Sequence, residues 1–363
     1  MKILFFIDCL TSGGKERRLV ELMKGLNRVP GIQFELAIMS KDIHYNEVFD
    51  LGIPIHYILR RTKKDLKVFN SFYIICKQYK PDFVHCWDGM TALISTPVCK
   101  ILQIKLVNGM ITDTPLRHNI FYKPWLRARL TFPFSDIIIG NSKAGLVAYS
   151  APKEKSIVIN NGFNFQRIEV LTDKQSILEK IEVHEKYIVG MVAAFDEFKD
   201  YTTYFAAAEL LLKKRSDVCF LAIGSNTDSE IARRLVKDEN KDNFRFLGKL
   251  SGIESFINVM DICVLSTLSE GISNSIMEYM ALGKPVIVTS GVGSDEIIEN
   301  NKTGFITSPA NPAELCEKIE ILLNNQDLRE KMGQAGKERV LNHFSIDKMV
   351  ASYVDTYNKY LSK

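Results

Sequence analysis

The feature that most constrains the fold is a regular alternation of short apolar segments with longer amphipathic ones. Each apolar segment has the length of a buried strand, and the segments between them have helical spacing. This alternation is typical of parallel βαβ units. It predicts an α/β chain with two doubly wound parallel sheets. The strand candidates of the first half are residues 3–7, 35–39, 55–59, 83–86, 105–107, 136–139 and 157–159, and those of the second half are residues 187–193, 218–223, 244–247, 262–265, 285–288 and 304–306.

A polar, weakly patterned stretch at residues 161–186 separates the two series of strands. It begins with Asn161-Gly162, so we place the crossing between domains there. The length of 363 residues suits two domains. Ser345 is expected to cap a last helix that crosses back to the first domain. We therefore predict an N-terminal domain of residues 1–165 plus helix 346–363, a C-terminal domain of residues 166–345, and a cleft between them.

The composition indicates a folded protein of the cell interior. Hydrophobic residues make up 46% and charged residues 25% of the chain, which are ordinary globular values. No apolar stretch approaches the roughly 20 residues of a membrane span, and residues 3–7 are too short for the core of a signal peptide. The seven cysteines lack CxxC spacing, as is typical of a reducing compartment. We expect a cytoplasmic protein, peripheral at most on the inner face of the membrane.

The two halves of the chain differ in charge. Residues 1–170 hold 24 Lys and Arg against 14 Asp and Glu, whereas the remaining residues hold 23 against 29. The basic half favours an anionic partner such as a membrane surface or a lipid-phosphate acceptor. Nucleic acid is not expected, because the basic residues are scattered and no nucleic-acid motif accompanies them. Residues 117–129 mix aromatic and cationic side chains that suit a lipid interface, although a packed loop and helix explains them equally well.

A pair of glycines follows the first strand. Gly13 and Gly14 lead into a helical pattern, and the backbone N–H groups of such a turn can approach a phosphate closely while the helix dipole adds attraction. A plain tight turn is an equally good explanation, since the spacing is not that of a dinucleotide-binding loop.

Two glutamates frame a loop and a helix in the second half. Glu270 precedes the loop, and Glu278 lies on a helix that Ser273 or Asn274 can cap. Both are expected at the carboxyl edge of a parallel sheet, where ligands of open α/β folds bind. Carboxylates accept hydrogen bonds from sugar hydroxyls, and free N–H groups at residues 271–273 can hold phosphate oxygens. On spacing alone, solvated surface glutamates explain the pattern as well.

Together these residues resemble the retaining glycosyltransferases of the GT-B fold, specifically glycosyltransferase family 4. Glu270 and Glu278 match the E-x7-E motif of that family with its following Gly-Lys-Pro-Val, and residues 13–17 match its Gly-Gly-x-Glu-Arg. Asn161-Gly162 at the crossing matches as well. The resemblance covers nearly the whole chain. It implies two Rossmann-like domains that face each other across a cleft, with the acceptor on the N-terminal domain and the sugar donor on the C-terminal one.

The resemblance implies a role for each matching residue. Glu278 would bind the ribose of the sugar donor and Glu270 the transferred sugar, while Lys199 would neutralise the leaving nucleotide diphosphate, a task that suits a positioned cation. Glu270 and Lys199 are thus the implied catalytic residues. Further contacts to the sugar donor are implied for Gly14, Gly271, Ile272, Ser273 and Asn274.

The implied reaction moves a sugar from a nucleotide diphosphate to a hydroxyl of a lipid-linked or oligosaccharide acceptor in cell-surface polysaccharide or glycolipid synthesis, with retained configuration. Two departures from the family pattern stand out. Ala194 stands where the family usually has the Arg of a cationic pair. Lys249 could supply the missing positive charge. The His that many relatives carry near the acceptor is absent from its strand, and Asn108, Asp113 and His118 remain as candidate acceptor contacts.

Neither a metal nor another cofactor is expected besides the nucleotide-sugar co-substrate. The sequence has no D-x-D motif, no H-E-x-x-H motif and no clustered His and Cys. A nucleophile elbow and a Walker A loop are also absent, which disfavours hydrolase and P-loop chemistry. Two alternatives stay open: a sugar-nucleotide epimerase that acts on the sugar donor alone, and a non-catalytic nucleotide-sugar-binding subunit, which Ala194 motivates.

Overall fold

The computed structural model describes residues 1–11, 13–62, 65–112, 122–291 and 293–362. They form an N-terminal unit, Met1–Gly162 with Ile346–Lys363, and a C-terminal unit, Phe163–Ser345. Within the described ranges, no helix combines the length and the apolar content that crossing a membrane requires. Asp113 and His118, two of the predicted acceptor contacts, lie outside the described residues.

A seven-stranded parallel sheet forms the centre of the N-terminal unit, in the spatial order β3-β2-β1-β4-β5-β6-β7. The order reverses between β1 and β4, and the carboxyl ends of such a strand pair are where doubly wound sheets bind ligands. The strands are β1 (Lys2–Ile7), β2 (Gln33–Ile38), β3 (Ile55–Tyr57), β4 (Phe83–Cys86), β5 (Lys105–Ile111), β6 (Ile137–Gly140) and β7 (Ser156–Val158).

Helices connect these strands and cover both faces of the sheet with apolar side chains. The apolar residues of the first helix recur at helical spacing, and Leu19, Leu22, Met23 and Leu26 are fully buried. The helices are α1 (Gly14–Leu26), α2 (Lys67–Tyr79), α3 (Gly89–Leu102), α4 (Lys123–Thr131) and α5 (Lys143–Ala148).

The C-terminal unit repeats this plan with six parallel strands in the order β10-β9-β8-β11-β12-β13. Its switch point lies between β8 and β11. The strands are β8 (Tyr187–Val192), β9 (Val218–Ile223), β10 (Phe244–Phe246), β11 (Ile262–Leu265), β12 (Val286–Thr289) and β13 (Gly304–Thr307). The helices are α6 (Lys174–Lys180), α7 (Tyr201–Leu212), α8 (Glu230–Arg233), α9 (Ile253–Asn258), α10 (Asn274–Ala281), α11 (Pro312–Asn324) and α12 (Gln326–His343).

The last helix, α13 (Ile346–Leu361), belongs to the N-terminal unit. It packs on α1 at Gly25, where a Cβ atom would come within 2.2 Å of Val350 Cγ2. Only glycine therefore permits this approach. On the same helix, the hydroxyl of Tyr357 lies 2.7 Å from Nδ1 of the fully buried His85 on β4. Burial, and then the charge of Arg18, hold the pKa of His85 well below its usual range, so the ring stays neutral.

Each strand that the apolar segments predict is present, with ends that mostly differ by one or two residues. The prediction of an α/β chain with two doubly wound parallel sheets is confirmed. The units divide after Gly162, whereas the sequence placed the division after residue 165. Phe163 falls on the C-terminal side because its ring joins that core and its N–H donates to the Phe344 carbonyl over 2.7 Å.

Strand β5 is longer than its apolar segment predicts and includes the polar Asn108. The side chain of Asn108 is fully buried and its Nδ2 donates to Thr131 Oγ1 and Ser135 Oγ, over 3.0 and 3.3 Å. Its Oδ1 accepts from the Met110 N–H over 3.3 Å. These bonds hold β5 against the end of α4. The amide of Asn108 is therefore enclosed and engaged inside the unit, and its contact with an acceptor stays a prediction.

Candidate functional site

The candidate site of the C-terminal unit lies on two loops that follow β8 and β11, the strands at the switch point of the sheet. Lys199 and Thr267 form an antiparallel bridge between these loops. The Thr267 hydroxyl also donates to the Phe198 carbonyl over 2.9 Å, and the Leu268 N–H donates to the same carbonyl over 2.8 Å. The backbone therefore fixes the positions of both loops relative to each other.

Lys199 and Glu270 form an ion pair between Nζ and Oε2 across these two loops. Both side chains are mostly buried. A charge pair in such surroundings is stronger than one in bulk water because screening is weaker. The structure thus brings together the two residues for which the resemblance implies catalysis, and it sets the cation beside the carboxylate at a ligand-binding edge of the sheet.

The loop after Glu270 packs closely against the start of the turn that follows β12. Gly293 donates its N–H to the Glu270 carbonyl over 3.1 Å, and a Cβ atom on Gly293 would come within 2.5 Å of the Gly271 oxygen. Ile272 is buried in the core of the unit. The loop is therefore held from two sides, by a glycine contact and by an apolar anchor.

Helix α10 begins at Asn274, directly after this loop. Ser273 occupies the N-cap position in an extended conformation, but its side chain makes no capping hydrogen bond. The first N–H groups of a helix have no partner inside the helix and favour anions. The helix ends at Ala281, and Gly283 follows with a left-handed φ of 68°, which is typical of a helix terminus.

Two side chains dock α10 onto the end of β8. The Tyr279 hydroxyl accepts from the Val192 N–H over 2.7 Å, and the Ser275 hydroxyl donates to the Val192 carbonyl over 2.8 Å. These two hydrogen bonds satisfy the backbone N–H and carbonyl of Val192 at the end of the strand, and they fix the helix at the switch point. The sequence did not single out either residue, because both lie within an ordinary helical pattern.

Glu278 lies on α10 with a side chain that is almost fully buried, and it pairs with a cation that the sequence did not predict. Arg167 Nη2 donates to Glu278 Oε1 over 2.8 Å and also pairs with Glu254 on α9. The two glutamates of the E-x7-E motif thus have different cationic partners, Arg167 for Glu278 and Lys199 for Glu270. Arg167 thus ties Glu278 to the segment that follows the crossing.

The position expected to carry the second cation is occupied by a tightly packed backbone. The Ala193 carbonyl accepts from the Tyr201 hydroxyl over 2.7 Å. A Cβ atom on Gly224 would come within 2.0 Å of this carbonyl oxygen and 3.0 Å of the Ala194 nitrogen. Ala194 itself is partly exposed, and Lys249 is exposed after β10. Lys249 as a substitute cation stays a prediction.

In the N-terminal unit, Gly14 opens α1 at the switch point of the larger sheet. Lys15 Nζ lies 2.7 Å from Asp8 Oδ1 and 3.3 Å from Glu16 Oε1, and the Asp8 N–H donates to Asp88 Oδ2 over 2.9 Å. Burial disfavours the charged form of Lys15, but attraction from Asp88, Asp8 and Glu16 outweighs burial and raises its pKa. Burial first, and then Asp8, raise the pKa of Asp88.

In the described ranges, the one group of three or more His, Cys, Asp or Glu side chains that could hold a metal ion, with ligand atoms within 4.8 Å of one another, is Asp8, Cys9 and Glu16. The Lys15 ammonium pairs with two of the three. It thus already supplies the positive charge that these carboxylates attract, which disfavours a divalent ion there.

A partly apolar surface lies on α4 and the short turn after it. Leu126, Leu130 and Phe134 recur every four residues and are 47%, 52% and 48% exposed. Lys123 and Arg129 are exposed beside them. We name these five residues the α4 face.

Residues 173–339 match the family described as glycosyl transferases group 1. The chain is 28% identical to the capsular polysaccharide biosynthesis glycosyltransferase CapM of Staphylococcus aureus, over 96% of this chain and 99% of that protein. It is 26% identical to the N,N'-diacetylbacillosaminyl-diphospho-undecaprenol alpha-1,3-N-acetylgalactosaminyltransferase of Campylobacter jejuni, over 85% and 86% of the two chains. The crystal structure of Anabaena Alr3699/HepE in complex with UDP superposes with a TM-score of 0.84 at 18% identity, over 99% of this chain and 100% of that one. The similarity extends over both units.

Proposed function

We propose that this chain, which is a glycosyltransferase of the GT-B fold with a group 1 glycosyl transferase domain, transfers a hexose-type sugar from a uridine-diphosphate sugar to a hydroxyl of a lipid-linked or oligosaccharide acceptor. The observation that carries the proposal is the Lys199–Glu270 pair on the two loops at the switch point of the C-terminal sheet. Support for the partners comes from the relatives, one named for capsular polysaccharide, one for a diphospho-undecaprenol acceptor, and one solved with UDP.

The sugar donor is held by the C-terminal unit in this proposal. Glu278 accepts hydrogen bonds from the ribose hydroxyls, and the loop residues Gly271 to Asn274 face the sugar and the diphosphate with the N–H groups at the start of α10. Glu270 contacts the transferred sugar.

We assign the chain to family 4, with retention of the anomeric configuration. The bond from the anomeric carbon to the diphosphate oxygen breaks, and the bond to the acceptor oxygen forms on the same face. The acceptor proton passes to the departing diphosphate, so no side chain has to act as a nucleophile. Lys199 then exchanges its Glu270 partner for the diphosphate, whose negative charge increases in the transition state.

A thermal-unfolding screen tests the nucleotide assignment. We expect UDP-sugars to raise the unfolding temperature more than GDP-, ADP- or dTDP-sugars do, because a ligand that binds only the native state stabilises it, by about 2.7 kcal/mol at a hundredfold excess over Kd. Glu278→Ala should roughly halve the shift, because an about tenfold higher Kd leaves only about a tenfold excess of ligand. EDTA, which removes divalent metal ions, should leave the shift unchanged, because in this proposal Lys199 and not a metal ion neutralises the diphosphate.

Glu317→Ala serves as the matched control, because Glu317 is an exposed glutamate on a helix of the same unit. Its shift with UDP-sugars should equal that of the unchanged protein. An undiminished shift with UDP-sugars in Glu278→Ala would refute the ribose role of Glu278.

We further propose that the chain works at the cytoplasmic face of a membrane and contacts anionic lipid through the α4 face. Leu126, Leu130 and Phe134 offer apolar area to the acyl boundary, and Lys123 and Arg129 attract anionic headgroups. The basic character of the first half of the chain adds to this attraction. A lipid-linked acceptor would then be presented to the N-terminal unit.

Replacing Leu126, Leu130 and Phe134 together by serine should weaken binding to phosphatidylglycerol vesicles by about tenfold, because the apolar contribution to interfacial binding is lost. Co-sedimentation of the full chain with vesicles measures this. Leu341→Ser is the control, since Leu341 is 53% exposed on α12 of the other unit. Equal binding of the triple variant and the unchanged protein would contradict the membrane role of the α4 face.

A further inference from the structure

We infer that Arg167 is a positioning residue that orients the Glu278 carboxylate towards the ribose of the sugar donor, an inference that rests on the proposed function. Arg167 lies in a short 3-10 turn, Phe165–Ile168, directly after the crossing into the C-terminal unit. It reaches α10 through Glu278 and α9 through Glu254. One guanidinium therefore connects three segments of the unit.

Glu278 requires such a partner because its side chain is only 4% exposed. A buried carboxylate is costly unless a cation and hydrogen bonds compensate for the lost hydration. The planar guanidinium fixes the direction of a carboxylate better than an ammonium would, since its donors have a rigid geometry. The 2.8 Å bond from Arg167 Nη2 engages Oε1 of Glu278, so it restrains the position of that oxygen.

Arg167 is itself held from two further sides. Its guanidinium carbon lies 5.3 Å from the centre of the Phe163 ring, and Phe163 is buried in the core of the C-terminal unit. Glu254, which is also buried, accepts from the same Nη2 atom. A cation with a fixed position can hold a ligand-binding carboxylate with little loss of side-chain entropy on binding.

The charges of this cluster indicate which part of a nucleotide it suits. Two carboxylates and one guanidinium carry a net negative charge, so the cluster of Arg167, Glu254 and Glu278 repels phosphate and favours hydroxyl groups that donate hydrogen bonds. Arg167 is thus distinct in role from Lys199, whose single carboxylate partner can be exchanged for a diphosphate. We therefore expect the cluster to favour a ribose over a dideoxyribose, which lacks the 2′ and 3′ hydroxyls.

The test compares binding of UDP and of 2′,3′-dideoxy-UDP to the full chain by calorimetry. For the unchanged protein we expect UDP to bind about tenfold tighter, the usual value of a hydrogen bond to a charged group. Arg167→Gln should raise the Kd of UDP about tenfold and leave that of the dideoxy compound unchanged. Glu278→Gln should do the same, and the double variant should equal either single one, because both changes remove one interaction.

Two further variants distinguish positioning from mere stability. Arg167→Lys should retain part of the preference for UDP that Arg167→Gln loses, because lysine keeps the positive charge but lacks the rigid donor geometry of the guanidinium. Arg245→Gln removes an arginine that ties segments of the same unit through the carbonyls of Ile181 and Glu182. It should leave the preference intact whatever it does to the unfolding temperature.

Each outcome has a defined meaning. Loss of the preference in Glu278→Gln but not in Arg167→Gln would overturn the inference and leave the proposed function standing. If Arg245→Gln also lost the preference for UDP over the dideoxy compound, the inference would be overturned, because the loss would then reflect a general fall in the stability of the unit. If the unchanged protein bound UDP no tighter than the dideoxy compound, the ribose role of Glu278 would be wrong and the inference would fall with it. Absence of any UDP binding would refute the proposed sugar donor itself.

Discussion

Replacing Lys199 with alanine is expected to lower kcat by about 10²–10³-fold, the cost of removing one preorganised group that stabilises charge in a transition state. The expected loss lies in kcat more than in KM, because the departing diphosphate gains charge as the glycosidic bond breaks and Lys199 stabilises that extra charge most. Initial rates with a UDP-sugar and a lipid-linked acceptor measure it.

Lys213→Ala is the control for this change. Lys213 is an exposed lysine at the end of α7 in the same unit, and its removal should leave kcat unchanged. The unfolding temperature of both variants should stay near that of the unchanged protein, because Lys199 makes its ion pair between two loops that the backbone already joins. Full activity of Lys199→Ala would refute the catalytic role of Lys199.

Because Ala194 stands where relatives usually have a second cation, the effect of removing Lys199 depends on whether another residue replaces that cation. If the usual second cation is absent and nothing replaces it, Lys199 carries the whole neutralising role in this unit. Lys249 is the alternative cation, and the combined loss of Lys199 and Lys249 should then exceed the loss of Lys199 alone. An unchanged rate in Lys249→Ala would exclude Lys249 as the substitute.

The fold could be predicted from the sequence because short sequence patterns indicate most of its strands and helices. Strands such as β9 and β11 are continuous apolar runs buried on both faces of a parallel sheet, and Gly283 follows α10 where a left-handed φ is needed. The end of β5 could not be predicted in this way. Asn108 interrupts the apolar run, and its burial depends on Thr131 and Ser135, which only the tertiary structure brings near.

The candidate site combines residues that the sequence indicates with one that it does not. Glu270 and Glu278 are close in sequence and lie in one recognisable motif, and Lys199 matches a family position. Arg167 meets Glu278 across 111 residues of sequence, from a polar segment without periodicity, so no local pattern indicates the contact. The resemblance names residues that are expected to touch the ligand, but it does not name Arg167, which pairs with one of them.

Replacing Glu270 with glutamine is expected to lower kcat by about ten- to a hundredfold, the usual cost of weakening a hydrogen bond to a charged group. Glutamine keeps the shape of the side chain and removes its charge, so the carboxylate can no longer pair with Lys199 or accept strongly from a sugar hydroxyl. Initial-rate kinetics with a UDP-sugar measure the loss, and Glu317→Gln on α11 is the control with no expected effect.

The effect of Glu270→Gln in a Lys199→Ala background separates two roles for the glutamate. If Glu270 contacts the transferred sugar itself, the second change should lower kcat again by a similar factor, since its partner in the reaction is still present. If Glu270 only holds Lys199 in place, the double variant should equal Lys199→Ala, because the group that it holds is already gone. Since the Lys199–Glu270 pair must separate before Lys199 can face the diphosphate, we expect the first result, and equal rates of the double variant and Lys199→Ala would refute direct contact of Glu270 with the sugar.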